Sequence, residues 1–572
     1  MDKAQIVRTL LSMADLMELA SENPFRPRSF RSGARALEAL ADDLAAVIEA
    51  RQLESLPGIG KTIAAEIESL WVEGTSSRLV ELLEAVPAGV RDMLEVAGLG
   101  PKKIRALWHG LDLTSLEQLE KACRDGRVAE LEGFGEKSAQ KILDGIEYLR
   151  SVAGRFLIVE ARHVAEPLLE YLRSCSAVGR AEVAGSYRRA KEVLKDLDLV
   201  ACSDRPDLAS AHFVAFERVV DVVARGGTKT SVRLDNGMAV DLRIVSAGEF
   251  AFALCHFTGS KEHNTAMRAR ARERGLKLNE YGLFRGDERI DCASEEEIHR
   301  ALELAYIVPE LRENLGEIEL AAAGELPRLV EDGDLRGVIH LHTTWSDGKA
   351  SLREMVTEAR ARGYEYLGVT DHSQTAFYAG GLKPDDVRRQ HEEIAALEAE
   401  LDGFRIFKGI ESDILPDGSL DYEDDVLERF DFVIGSLHAS LGQAADEVTR
   451  RVVRAIENPF LTMLGHATGR LLLRRDGAAL DMDRVLAAAA EHGVVVEINA
   501  NPRRLDMDWR LGPRARQLGV LTSINPDAHH PGGYDDIRYG VGTARKAGFT
   551  AASVVNTLPA DDFARFIARR RR

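Results

Sequence analysis

The sequence predicts a multidomain protein, α+β in its first part and α/β in its second, with helical N-terminal domains, a mixed unit in the middle and a parallel barrel at the end. Three observations predict it. The 572 residues exceed what one hydrophobic core usually organises. Residues 1 to about 150 carry Ala, Leu and Ile at helical spacing, broken at Gly and Pro. From Phe156 short β-type runs appear, and after Leu335 strands such as GVIHLH, YLGVTDH and VVVEIN alternate with Ala- and Glu-rich helices, the order of a parallel, barrel-like domain.

Composition excludes several classes. No apolar run is long enough to span a bilayer, and the opening MDKAQIVRTLLSMADLMEL reads as an amphipathic helix rather than an export signal, so a soluble, cytoplasmic protein with no membrane partner is expected; a monomer is the expected state. The five cysteines (Cys123, Cys175, Cys202, Cys255, Cys292) are scattered without CxxC spacing, which supports neither a disulfide framework nor a zinc finger. A net charge of −18 means that any nucleic-acid contact is concentrated on local basic surfaces.

An internal repeat governs the helical section: LPGIGKTIAAEI at 56–67, VAGLGPKKIRAL at 96–107 and LEGFGEKSAQKIL at 131–143. Each copy has an apolar residue, GxG and then a helix: Gly58, Gly60 and Lys61; Gly98, Gly100, Lys102 and Lys103; Gly133, Gly135 and Lys137. The glycines permit a tight turn, and the free N–H groups of the following helix can hold a phosphate. One copy alone would read as a joint between packed helices. Three copies flanked by lysines resemble the helix-hairpin-helix family of sequence-independent DNA binders.

In GSYRRAKEVLKDLDLV, residues 185–200, strand alternation puts Asp196 and Asp198 on one face. Carboxylates that close repel unless a cation separates them. Asp241 lies in MAVDLRIV, a strand able to pair beside the first, and three acids on one face can hold two Mg²⁺ or Mn²⁺ ions for an in-line displacement. Gly185 and Ser186 open a helix whose N-terminus, with Arg188 and Arg189, can receive a triphosphate. An isolated DxD is usually a solvated strand end, but this one is coupled to GS, RR and a later DLR.

GS, RR, DxD and DLR, followed by FTGSKEHN at 257–264 and NEYG at 279–282, resemble the family X DNA polymerases of the nucleotidyltransferase superfamily over about the first 315 residues. The resemblance implies a palm with Asp196, Asp198 and Asp241 as metal ligands, Asp241 activating the primer 3′-hydroxyl. It implies that Ser186 and Arg189 grip the nucleoside triphosphate, that Phe257 and Gly259 line the sugar and base pocket, and that Asn264 and Arg268 reach the minor groove. Arg243 matches an arginine that the family places near the acids. Three positions depart from the pattern: Lys195 stands where Gly is general, His256 where Tyr is common, and Glu66 where members with deoxyribose-phosphate lyase activity carry a Schiff-base lysine.

The last part contains HLHTTWSDG, TDHS, GIESDIL, GSLHAS, LGHATGR and NPDAHH, nearly every one at the end of a β-type run. His340 and His342 are two apart on an expected strand and so share a face. A lone histidine would read as a hydrogen-bonded core residue; six strand ends carrying His, Asp or Glu leave polar groups that only cations satisfy. The set resembles the polymerase and histidinol phosphatase (PHP) domain, a distorted (β/α)7 barrel. The resemblance implies His340, His342, Glu411 and Asp527 around one metal, Glu411 bridging to a second held by His438 and His466, and Asp347, His372 and His529 around a third. Zn²⁺ or Mn²⁺ suits these donors, up to three ions in all, and such ions lower the pKa of bound water towards about 7. Asp371, Asp413 and His530 read as partners of the ligands or simply as solvated groups, and Arg569 to Arg572 as a disordered tail.

The expected division is a helical DNA-binding domain over 1–85, a second over 86–152, a palm over 153–245, a nascent-base-pair-binding subdomain over 246–315, a linker over 316–334 and the PHP domain over 335–572. The implied function is gap filling on gapped or primer-template DNA from deoxynucleoside triphosphates, with 3′-to-5′ exonuclease activity and scope for abasic-site cleavage or 3′-phosphate removal. The rival readings are a phosphatase of small metabolites and a DNA-binding scaffold with weak polymerase activity.

Overall fold

The computed structural model describes residues 1–572 except 2, 21, 22, 24, 41–43, 97, 571 and 572, so Ala97 of the second hairpin and the last two arginines lie outside the described residues. The chain forms two compact units, Met1–Ala153 and Gly154–Arg572.

The first unit is helical around a core that includes Ile6, Leu10, Ile67, Ile104, Leu107 and Ile146. Each GxG repeat turns into a helix: Lys61–Glu73, Pro101–Leu111 and Glu136–Val152. The first glycines, Gly58, Gly98 and Gly133, have φ of +91°, +83° and +84°, a left-handed conformation that L side chains rarely adopt. The residue between the glycines pins the turn, since Ile59 and Leu99 are buried and Phe134 packs against the same core.

The second unit begins with a five-stranded sheet in the order Arg180–Val183, Asp196–Cys202, Ala239–Val245, Lys229–Leu234, Val219–Arg225. Alternation along its two central strands, which run parallel, sends Leu197, Leu199, Val240 and Leu242 into the core and leaves the aspartates on the other face. Helices Phe250–Thr258 and Lys261–Glu273 and a small antiparallel sheet follow. The acidic stretch expected as a linker contains a helix, Glu317–Ala323. Ile318 and Ala321 enter the core of the preceding subdomain, whereas Val330 joins that of the barrel.

Seven parallel strands then follow in sequential order, from Gly337–Val338 to Thr522–Asn525. A bridge between Leu341 and Ala528 draws the first and last staves together, leaving a nearly closed barrel. The staves are buried on both faces except at Arg405 and Lys408 of the third, as the near-continuous apolar runs require. Two sequence expectations change here. The first strand stops at Val338, and His340 has φ +60°, so His340 and His342 are not neighbours on a regular strand. The terminal helix, Ala560–Arg570, includes part of the expected arginine tail because Phe563 and Ile567 pack with Tyr366, Phe407 and Phe432. Among the described residues, no helix is long and apolar enough to cross a membrane.

Candidate active sites

The parallel pairing of Asp196–Cys202 with Ala239–Val245 sets Asp198 opposite Asp241. Burial, then the neighbouring Asp196 and Asp241, push the Asp198 carboxyl up to about 6. Lys229 Nζ lies 2.7 Å from Asp241, and Ser231 donates a hydrogen bond to the same carboxylate at 2.6 Å. Lys229 is a neighbour of the candidate site that no motif announced, since it comes from the antiparallel neighbour strand. Asp196, Asp198 and Asp241 share one face of the paired strands, and carboxylates suit hard cations such as Mg²⁺ or Mn²⁺, while Asp241 is here held by Lys229 and Ser231. Gly185, with φ +62°, is required by this geometry, because a Cβ there would sit 2.2 Å from Asp198 Oδ2.

The short helix Gly185–Arg188 and the turn after it are tied to the following subdomain. Arg188 bonds Thr258 Oγ1 at 2.7 Å and reaches Glu295 at 2.5 Å. Arg312 reaches the other Glu295 oxygen at 2.6 Å. Burial alone would raise the Glu295 carboxyl, but Arg312 and Arg188 outweigh it and hold it down at about 2. Arg189 donates to Glu313 at 3.0 Å and to the Thr258 carbonyl, so its guanidinium braces the loop before Gly259. Gly259 has φ +72°, and a Cβ there would lie 3.0 Å from Arg189 Nη1. Ser186 is half-buried, and Lys195 is exposed immediately before Asp196. The Arg243 guanidinium lies 4.8 Å from the Phe257 ring centre. Asn264 donates to the His256 carbonyl at 2.6 Å, and both line a cleft with Arg268, Phe252, Leu278 and Asn279.

A buried lysine of the barrel completes this region. Lys546, at the end of helix Ile537–Lys546, donates to the Arg189 carbonyl at 2.9 Å and pairs with Glu313. Glu192 likewise accepts from Trp509 Nε1 at 3.0 Å and from Arg510 at 2.8 Å.

In the barrel the staves bring nine expected ligands together. His342, Asp347, His372 and His529 offer ligand atoms within 4.8 Å of one another, as do His340 with His466 and Asp527, His340 with His342 and Glu411, and His372 with Glu411 and His438. Glu411 is the hub, its Oε1 lying 3.3 Å from His340, 3.3 Å from His438 and 2.9 Å from His466. His340 Nε2, both nitrogens of His342, His372 Nδ1 and Glu411 Oε1 are buried without a hydrogen-bond partner, an arrangement that costs about 1 to 3 kcal/mol per group unless a cation satisfies it. His340, His466 and Asp527 have φ of +60°, +22° and +52°, so three candidate ligand positions hold strained backbone. Imidazole with carboxylate fits a borderline divalent ion such as Zn²⁺ or Mn²⁺.

The electrostatics have the same origin. Burial lowers His342 to about 3, helped by neighbouring His529 and His372. Burial would also lower His438, but Glu411 and Asp413 raise it to about 10. The partners of the ligands are equally defined: His340 Nδ1 meets Glu497 at 2.5 Å, and His438 Nδ1 meets Asp413 at 2.5 Å. Asp371 accepts from Thr343, Ser346 and Gln390 and so fixes the loop after His342. Glu497 was not anticipated, although a glutamate inside the apolar run VVVEIN is itself a signal; it is buried and also accepts from His466 N–H at 2.7 Å and Asn525 at 2.8 Å.

Known families account for this arrangement. Residues 1–76 match the helix-hairpin-helix domain, 90–147 the SAM-like helix-hairpin-helix tandem, 253–313 the DNA polymerase beta thumb and 339–501 the PHP domain. A probable phosphatase of Thermoanaerobacter sp. (strain X514) is 28% identical over 236 residues, covering 38% of this chain and 89% of that protein. One from Caldicellulosiruptor saccharolyticus is 33% identical over 202 residues, covering 33% of this chain and 78% of its own. The DNA polymerase/3′-5′ exonuclease PolX of Bacillus subtilis (strain 168) is 39% identical over 573 residues, covering 100% of both chains. Helix-hairpin-helix modules, a polymerase beta thumb and a PHP barrel, aligned from end to end with that protein, place the chain in the PolX family.

Proposed function

We propose that the chain is a DNA-directed DNA polymerase that fills short gaps, and that its barrel is a metal-dependent 3′-5′ exonuclease. The observation that carries the reading is the end-to-end similarity to the Bacillus subtilis protein in a chain that has both a carboxylate triad on adjoining strands and a buried His, Asp and Glu cluster. The cytoplasm is the expected compartment and a monomer the expected state.

In the polymerase region Asp196, Asp198 and Asp241 would hold Mg²⁺ or Mn²⁺, and Asp241 accepts the proton of the primer 3′-hydroxyl. Ser186 and the N–H groups of the loop it opens receive the triphosphate, with Arg189 holding that loop. Phe257 and Gly259 form the sugar and base wall, and Asn264 and Arg268 face the minor groove. Glu66 has no amine for an imine, so no lyase activity arises from that position.

The hairpins receive the DNA backbone. At Gly60, Gly100 and Gly135 the backbone is extended, and a Cβ would meet nothing within 4 Å. Nothing within the fold excludes a side chain there; a phosphate drawn close to the helix N–H groups would. Lys61 and Lys102 flank that approach.

In the barrel His340, His342, Asp347, His372, Glu411, His438, His466, Asp527 and His529 would hold up to three Zn²⁺ or Mn²⁺ ions. Such ions supply Lewis acidity and a more acidic water for attack on a phosphodiester. Glu497 and Asp413 fix the tautomers of His340 and His438. Similarity of the barrel to probable phosphatases supports 3′-phosphate removal as a second reaction for the same donors.

The test uses a gapped, end-labelled duplex with Mn²⁺, with and without nucleotides. His340→Ala should stop shortening and leave extension, whereas Asp196→Ala with Asp198→Ala should do the reverse. Undiminished shortening by His340→Ala would disconnect degradation from the barrel.

A further inference from the structure

Five and six residues beyond His372, the short helical turn Phe377–Ala379 presents two adjacent aromatic side chains to solvent, Phe377 at 85% exposure and Tyr378 at 68%. Leaving both in water forfeits the burial energy that aromatic side chains ordinarily contribute.

The turn that carries them is firmly held. Its buried anchors are Ala376, Ala379 and Leu382. Leu382 N–H returns to the His372 carbonyl at 2.8 Å, and the Tyr422 hydroxyl donates to the Leu382 carbonyl. Thr375 N–H bonds Asp421 at 2.7 Å, and Thr375 Oγ1 bonds Asp413 at 2.9 Å. The other oxygen of Asp413 faces His438 Nδ1 at 2.5 Å. The loop is thus fastened to two candidate metal ligands, and the Tyr378 ring centre lies 6.3 Å from that of His372.

A rigid loop that displays flat apolar faces at the edge of a phosphoesterase centre fits a ligand with a flat face next to its scissile phosphate. We propose that Phe377 and Tyr378 form a stacking platform for the nucleobase at the 3′ end of a DNA strand, holding the terminal nucleotide while its phosphodiester lies at the cluster. Every nucleobase has a π face, so such a platform accepts all four and suits an exonuclease that removes successive nucleotides. A small phosphorylated metabolite lacking a ring gains nothing from it. The inference rests on the exonuclease reading.

The experiment compares, with Mn²⁺, removal of the terminal residue from single-stranded oligonucleotides that end either in a normal nucleotide or in a base-free tetrahydrofuran residue. The parent is expected to prefer the base-bearing end by roughly tenfold or more in kcat/KM. Phe377→Ala with Tyr378→Ala should erase that preference, chiefly through KM, and leave the base-free end cleaved at the parental rate. Phe377→Tyr with Tyr378→Phe should retain it. Both side chains are exposed, so folding is not at stake, and a melting curve checks it. A persisting preference in the double alanine variant overturns the platform, and so does equal loss on both ends, which would mark the loop as scaffolding. A parent inactive on both ends overturns the exonuclease reading and the platform with it.

Discussion

The polymerase region and the barrel both bury charged groups, but they neutralise them differently. Around the nucleotide loop the protein supplies its own cations: Glu295 is met by Arg188 and Arg312, and Glu313 by Arg189, Lys191 and Lys546. In the barrel, Glu411 and Asp527 face histidines, and the nearest arginine contact to Asp527 is Arg504 at 3.6 Å. The polymerase scaffold therefore balances its buried acids with its own arginines and lysines, whereas the barrel mouth gathers carboxylates and imidazoles in groups suited to hold metal ions.

That contrast can be broken most directly by removing one side at a time. Replacing His340 with Ala is expected to lower exonuclease turnover by more than about 100-fold with primer extension unchanged, and Asp198→Ala to do the opposite; losing a ligand should exceed the 10- to 100-fold cost of losing a ligand's partner. Parallel time courses on one labelled duplex measure both. If either variant lost both activities while remaining folded, the two centres would not be independent.

Removing a self-supplied charge should cost stability. With its partner replaced in Glu295→Gln, buried Arg312 would lack a countercharge, a loss of about 3 kcal/mol or more at pH 7 by denaturant unfolding. Because the folded Glu295 carboxyl sits below its ordinary value, at about 2, its contribution is fully present above about pH 4.5 and is lost as pH falls towards 2. The variant should therefore show a flatter acid limb than the parent.

The barrel should respond to chelator. Ions that bind only the folded barrel stabilise it by mass action, so exhaustive chelation should lower the barrel's melting transition and leave the ion-paired region little changed. Glu497→Gln should weaken metal retention by about 10- to 100-fold, read as metal per chain after dialysis. The mildest effect is expected at the junction: Lys546→Met removes a charge-assisted bond and should raise KM for nucleotide by about tenfold with exonuclease rate unaltered, and Lys546→Arg should recover part of it.

Much of this was legible in the sequence. Alternation in DLDLV is a local rule, so the aspartates and the leucines beneath them could be assigned to opposite faces without coordinates. The GxG repeats were equally readable, because a left-handed turn residue and a helix start are local requirements. What stayed hidden depends on distant segments meeting. Lys229 reaches Asp241 only through antiparallel pairing, and Arg189 is braced by Glu313, which is more than a hundred residues away. The strand expected through His340 ends early, and His340 itself takes a left-handed conformation, a cost that periodicity does not reveal. Glu497 could have been found, since a carboxylate between apolar neighbours in a parallel stave needs a partner.

Lys546 has a consequence for anyone wishing to divide the molecule. A truncation ending before the barrel would remove the ammonium beside Glu313 and the indole N–H that donates to Glu192, leaving two carboxylates on a freshly bared surface. An excised polymerase fragment should therefore be a poorer enzyme than its intact catalytic residues suggest, and supplying the severed barrel in trans, or neutralising those two acids, is the repair to try.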